Sequence, residues 1–436
     1  MSSAQDYIDQ HNAFIHAGAA FGLGSGEHLQ ACRNAAISAL DKSGLPKPRW
    51  EDWRYTNLTP LSGAAFTHQT DTGDTAPTPE AISNWPRLII INGAVAGEQA
   101  DKLPAAITLC HGADLAANPP SWAADIFAPS EEPLANLNLA FLSGAYALRV
   151  EDNAAIEGIE IIHLFTGDPQ NARQCRSHIH LSEGASLKIF NRYIGASASS
   201  LGWANIHTSA HVEDGALLEI TSHLSPDCAS FLTLRETAKL DAGTYKNTAV
   251  AIDLPAARHE IVTDIHKEGA HVELLGANLS AAGGNCDNLT RVNHLVGRST
   301  SNQLFRNVAK DGGKTAFQGR VLVEKDAQQT YADQACNNLV LDNKSEANVK
   351  PELLIFADDV KCSHGATIGE LDKDALFYLI QRGLDPQSAR SILINAFLGE
   401  VIEAIDCDPV RTYFQEDIDR WMSKNVQPGG SNGGTL

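Results

Sequence analysis

Ile179-His-Leu-Ser-Glu-Gly-Ala-Ser-Leu-Lys-Ile189 and Ala210-His-Val-Glu-Asp-Gly-Ala-Leu-Leu-Glu-Ile220 are two copies of one phrase, and the way they recur decides the fold. Each copy reads as strand, acid-Gly turn, strand. Weaker copies follow at Ala238-Lys-Leu-Asp-Ala-Gly-Thr-Tyr245, Asp264-Ile-His-Lys-Glu-Gly-Ala-His-Val-Glu-Leu274 and Val308-Ala-Lys-Asp-Gly-Gly-Lys-Thr-Ala-Phe317. Their glycines stand at 184, 215, 243, 269 and 313, and the first gaps are 31, 28 and 26 residues. That spacing is too irregular for propeller blades, and the turns are too polar for leucine-rich repeats. Between copies apolar and polar residues alternate, as in Arg320-Val-Leu-Val-Glu324. A strand that cannot bury its inner row alone stacks on the preceding coil at about 4.8 Å, and Gly at each corner tolerates φ > 0. Residues 145–370 therefore read as a parallel β-helix. An antiparallel sandwich is the runner-up, disfavoured because hairpin dipeptides occur in few of the expected places.

After Gly369 the period changes from 2 to 3.6. Asp372 caps a helix carrying Leu376, Leu379 and Ile380 that ends at Gly383. Asp385-Pro386 opens another with Ala389, Ile392, Leu393, Ala396, Phe397, Val401 and Ile405 on one stripe, and Pro409 to Asn425 forms a third. These make a C-terminal helical region over 371–425, followed by a Gly/Ser-rich disordered tail at 426–436. Upstream, 1–63 reads as helical, with Leu29, Cys32, Ala36, Ile37 and Leu40 at helical spacing before a stop at Gly44 and Pro46. The aromatic run Trp50-Glu-Asp-Trp53-Arg-Tyr55 is read as packing that docks the helices onto the next domain. Residues 64–144 are a linker and transition segment, with a strand at Leu88–Ile91 and a short helix after Pro133. The fold expected is mainly β with helical ends.

The chain has 436 residues, 33 Lys plus Arg against 53 Asp plus Glu, and a formal charge of −20, which repels phosphate backbones and anionic membrane surfaces. Nucleic acid and membrane are excluded as partners on that ground. The start Met1-Ser-Ser-Ala-Gln-Asp6 has no basic region leading into an apolar run, so a cytoplasmic location is expected. The eight cysteines, at 32, 110, 175, 228, 286, 336, 362 and 407, form no CxxC pair and are expected to be reduced.

Chemistry concentrates near the end of the coils. In extended chain, Cys362 and His364 project on the same side, a soft sulfur beside an imidazole. The pair could ligate a metal, beside the plainer reading of a buried Cys and a capping His, yet it cannot by itself complete a zinc site or an iron–sulfur cluster, each needing about four ligands. His178 with His180, and His207 with His211, are spaced to share a face, but 16 histidines make such coincidences ordinary, and neither pair is assigned a metal. Asp358-Asp359 suggests the paired acids of a carbohydrate-active β-helix enzyme, a weaker reading. No GxxxxGK[ST] phosphate loop is present, so no nucleotide is expected on this chain.

The segment Pro351-Glu-Leu-Leu-Ile-Phe-Ala-Asp-Asp-Val-Lys-Cys-Ser-His-Gly-Ala-Thr-Ile-Gly369, with Phe377-Tyr-Leu-Ile-Gln-Arg-Gly383 and Ala396-Phe-Leu-Gly-Glu-Val401, strongly resembles the SufB/SufD family of iron–sulfur cluster assembly proteins. Glu51-Asp-Trp-Arg-Tyr-Thr56 and Leu134-Ala-Asn-Leu-Asn-Leu-Ala-Phe141 resemble its SufD branch. SufB members typically show Cys-Glu-His-Glu where this chain has Cys362-Ser363-His364-Gly365. The resemblance implies a right-handed parallel β-helix flanked by N-terminal and C-terminal helical regions. It also implies a SufB-like partner and a SufC-like ABC ATPase docked on the C-terminal helices, with Arg382, Asp385 and Arg390 as candidate contacts. A nascent iron–sulfur cluster shared with SufB would form at an interface where His364 is this chain's ligand and Cys362 a weaker candidate. A homodimeric β-helix scaffold without metal chemistry is the alternative.

Overall fold

The structure is a computed structural model that describes residues 4–16, 23, 26–58, 61, 66, 79–97, 103–168, 170–195 and 202–426. The tail expected at 426–436 lies outside the described residues except for Val426, as does 67–78 of the linker.

Among the described residues nineteen strands run in chain order: β1 Arg87–Ile91, β2 Ala94–Val95, β3 Ile107–His111, β4 Gly144–Val150, β5 Ala155–Phe165, β6 Ala172–Leu181, β7 Ser186–Gly195, β8 Trp203–Val212, β9 Leu217–Leu224 and β10 Phe231–Leu240. They continue as β11 Thr244–Ile252, β12 Ala257–Ile265, β13 His271–Ser280, β14 Asn285–His294, β15 Thr300–Ala309, β16 Lys314–Val323, β17 Thr330–Val340, β18 Glu346–Ile355 and β19 Val360–Gly369. From β4 onward successive strands alternate between two sheets. One orders β19-β17-β15-β13-β11-β9-β7-β5-β1-β2 and the other β18-β16-β14-β12-β10-β8-β6-β4-β3. Neighbours one coil apart pair in parallel, Ile179 with Ala210 and Ile189 with Ile220 among them. This is the parallel solenoid read from the recurring phrase. It begins earlier than residue 145, because β1 adds in parallel to β5 and β3 adds antiparallel to β4.

Inward rows from both sheets meet in one apolar core that includes Ile179, Leu181, Ile189, Val212, Ile220, Leu240, Val272 and Val292. Gly184 and Gly215 both take φ 67 at their corners, a conformation strained for residues bearing a Cβ. The corner at Gly313 is built differently: Asp311 and Gly312 carry the positive φ, and a Cβ on Gly313 would lie 2.1 Å from the Ser280 carbonyl oxygen. Glycine is required there by the closeness of the coil below.

Helices cover the outer faces. α1 (Ala4–His16), α2 (Glu27–Ser43), α3 (Gly112–Ala117) and α4 (Pro133–Ala140) pack with Trp203 and Phe231 at one end of the nine-stranded sheet. The aromatic run docks them as expected: Trp53 is buried beneath the Arg258 guanidinium, 3.9 Å from the ring centre, and Thr56 Oγ1 donates to Asp287 Oδ2 at 2.5 Å. After β19 come α5 (Lys373–Gln381), α6 (Pro386–Glu403) and α7 (Asp408–Asn425). Ile394, Leu398, Val401, Phe414, Ile418 and Trp421 from α6 and α7 lie on Val250, Leu275, Leu279 and Val308 of the ten-stranded sheet. No described helix is long and apolar enough to cross a membrane.

Candidate functional site

The solenoid stops at β18 and β19, each pairing on one side only. Parallel register stacks Thr330, Ala332, Gln334, Cys336 and Asn338 of β17 under Val360, Cys362, His364, Ala366 and Ile368 of β19. The β17 residues are buried, so this row faces the inside of the coil. On β19 the same row is exposed from His364 onward, because no further rung among the described residues covers it. Cys362 and His364 therefore share one face, as their spacing predicts, and that face is the open end of the core.

The two residues differ in setting. Cys362 is half-buried against Val321, Val323, Ala332 and Ala357, and burial pushes its thiol pKa up, so the protonated form is favoured. His364 is exposed and makes no hydrogen bond or ion pair with the described residues. Below it Gln334 is 2% exposed, and neither of its amide atoms has a partner. A Cβ on Gly319, across the coil, would fall 2.1 Å from Gln334 Nε2, so that glycine makes room for the amide. Around this end Leu354, Ile355, Phe356 and Ile368 expose apolar surface, Phe356 to 60%. An edge strand with an apolar rim is a template for another chain.

The other candidates are dispersed. No residue of α5 is buried, and Phe377 and Tyr378 are 63% and 57% exposed. Asp372 and Asp385 cap α5 and α6 as read, each accepting from two backbone N–H groups. Arg382 and Asp385 are exposed and Arg390 is half-buried. Asp358 and Asp359 occupy the corner between β18 and β19, where Asp359 N donates to Gln328 Oε1 at 2.8 Å.

Four histidines that the sequence reading left unassigned come together elsewhere. His178, His180, His207 and His211 line one cavity of about 710 Å³ on the outer face of the nine-stranded sheet. Local spacing pairs 178 with 180 and 207 with 211. The register instead sets His180 beside His211, which hold the same place in the two copies of the recurring phrase. The coil repeat was the signal that could have found them.

Residues 164–397 match the family described as SUF system FeS cluster assembly, SufBD core domain, and residues 1–160 match the SufBD protein N-terminal region. An iron–sulfur cluster assembly SufBD family protein of Synechocystis is 30% identical over 396 residues, covering 86% of each chain. The iron–sulfur cluster assembly protein SufD of Escherichia coli is 26% identical over 388 residues, 85% of this chain and 87% of that one.

Proposed function

Because the chain belongs to the SufB/SufD family of iron–sulfur cluster assembly proteins, we propose that it is the SufD-type scaffold of a SUF assembly complex in the cytoplasm. In this reading it performs no catalysis of its own. A SufB-like subunit continues the solenoid at β18 and β19 and covers the apolar rim. The observation that carries the proposal is His364, an uncommitted imidazole on the core-facing row of the last rung. A neutral imidazole ligates iron, and covering the rung would enclose it in a largely apolar space where the remaining ligands come from the second chain. The cluster is then the cargo of the complex. Cys362, held as a thiol among aliphatic side chains, serves packing first.

The C-terminal helices supply the second contact. α5 presents Phe377 and Tyr378, and Arg382, Asp385 and Arg390 lie beside it, a surface suited to a SufC-like ATPase. Dimerisation of two such ATPases on ATP would pull the helical regions together and shift SufB against SufD, opening the enclosed rung. The same unpaired edges accept a second copy of this chain when SufB is absent, which favours a homodimer in isolation. The test is cluster formation in a complex reconstituted from this chain, SufB and SufC. His364→Ala should assemble a complex of normal size and lose most of the cluster yield, whereas full yield refutes the role of His364.

A further inference from the structure

On the outer face of the nine-stranded sheet, His180 on β6 and His211 on β8 are direct register partners, their ring centres 5.1 Å apart and their planes at 83°. Glu213, just past the end of β8, brings Oε1 to 3.1 Å from His180 Nε2. One ligand atom from each of the three side chains lies within 4.8 Å of the other two, and among the described residues no other trio of His, Cys, Asp and Glu does so. A second observation is independent of this spacing. His211 Nε2 is buried and makes no hydrogen bond, with Asp241 Oδ2 3.6 Å away, and His178, 9% exposed, leaves its Nε2 without a partner. Buried polar atoms are normally satisfied, so open imidazole nitrogens along one wall of the cavity point to a bound electrophile.

An anion does not fit that description. Arg176 is consumed by Asn138 Oδ1 and the carbonyls of Ile126, Ala128 and Ala135. Arg235 is paired with Glu260, and Arg149 reaches Ser182 Oγ at 2.9 Å and Asp152 at 3.6 Å. Lys239, opposite His211 in the register, is the one cation of the cavity with neither an ion pair nor a side-chain hydrogen bond among the described residues. What the cavity offers is nitrogen lone pairs and a carboxylate.

We propose that His180, His211 and Glu213 bind a divalent first-row transition ion, with Zn²⁺ as its type, and that solvent from the cavity fills the open position. Two imidazoles and one carboxylate are a borderline-soft ligand set, and tetrahedral bonds of about 2.0–2.1 Å separate ligand atoms by about 3.3 Å. The 3.1 Å between His180 and Glu213 already meets that span, and rotation of the His211 ring closes the third edge. The site does not depend on the cluster role. Five rungs separate β8 from β18, about 24 Å along the solenoid axis.

The experiment uses the full chain, stripped with chelator and titrated with Zn²⁺ against a chromophoric chelator. One ion per chain is expected, with affinity reduced about a hundredfold or more in His211→Ala and Glu213→Gln. The latter changes a half-buried side chain at the coil edge, so it tests the site even if a histidine variant folds poorly. Co²⁺ in the unaltered chain should give the visible absorption of a four-coordinate site, and both variants should lose it. Unchanged zinc affinity in Glu213→Gln, or an equal loss on replacing the exposed His266 by Ala, overturns the proposal, as does a Co²⁺ spectrum matching the hexaaquo ion.

Discussion

Asp417→Ala tests how the C-terminal helices are held to the solenoid. His223 on β9 donates from Nε2 to Asp417 Oδ2 of α7 at 2.7 Å, while the Tyr413 hydroxyl lies 3.1 Å from His223 Nδ1. The two side chains are only 4% and 12% exposed. Burial pulls the Asp417 carboxyl up, but the hydrogen bond and charge of His223, with Arg420, carry it below its ordinary value. Removing the carboxylate strands a buried imidazole donor, at a cost of about 1–3 kcal/mol. Taking ~2 kcal/mol, local opening of α7 rises about thirtyfold, since each ~1.4 kcal/mol is a factor of ten. Peptide-resolved hydrogen exchange reads this directly. Exchange should accelerate by about that factor in α6 and α7 and stay unchanged in the strands, while exposed Asp419→Ala shifts it by about twofold or less. The pH dependence has a definite sign. A carboxyl whose folded pKa is depressed stabilises above its unfolded value of about 3.9, and the gain disappears as pH falls through the folded value. The difference between variant and parent should therefore vanish only below about pH 4. Unaltered exchange in α7, or acceleration spread evenly through the sheets, would refute the anchoring role.

Trp53→Ala removes a ring 4% exposed and stacked beneath Arg258, so a loss of about 3–5 kcal/mol is expected. Arg258 keeps its bond to Asp287, and the loss should fall on the N-terminal region, seen as an early step in urea unfolding; one unshifted transition would contradict this. His294 is 0% exposed between Ser299 and Ser301, and burial pulls its pKa down from 6.5 to about 4. The unfolded imidazole protonates first, so this stability is complete above about pH 6.5 and declines by about 1.4 kcal/mol per unit as pH falls toward the folded value. His294→Gln should narrow the gap between urea midpoints at about pH 7 and 5, and an undiminished gap would count against the assignment.

Much of the solenoid was legible because its causes are local. Alternation at period 2, an acid-Gly corner and a polar residue at a helix start act over a few residues, so β6 to β9 and the Asp372 and Asp385 caps could be read directly. The strand at Leu88–Ile91 was legible as a strand, but not as a member of the ten-stranded sheet. Nothing in five residues says which of many equivalent edges will accept them. Side-by-side placement of Cys362 and His364 followed from strand geometry alone. The difference between them, one packed and one bare, depends on where the aliphatic residues of the preceding coil reach.

The amino-acid order by itself determined that this chain coils, where its helices start, and that a thiol and an imidazole share a face near the last coil. Only the stacked structure decided that this coil has no rung above it among the described residues, leaving His364 open over a buried Gln334. It alone placed His180 against His211, 31 residues apart in the chain. The reason is that parallel stacking joins residues one coil apart, a distance set by the length of the whole coil. A strand's exposure is set by whether another strand follows, and neither property is written in the residues nearby.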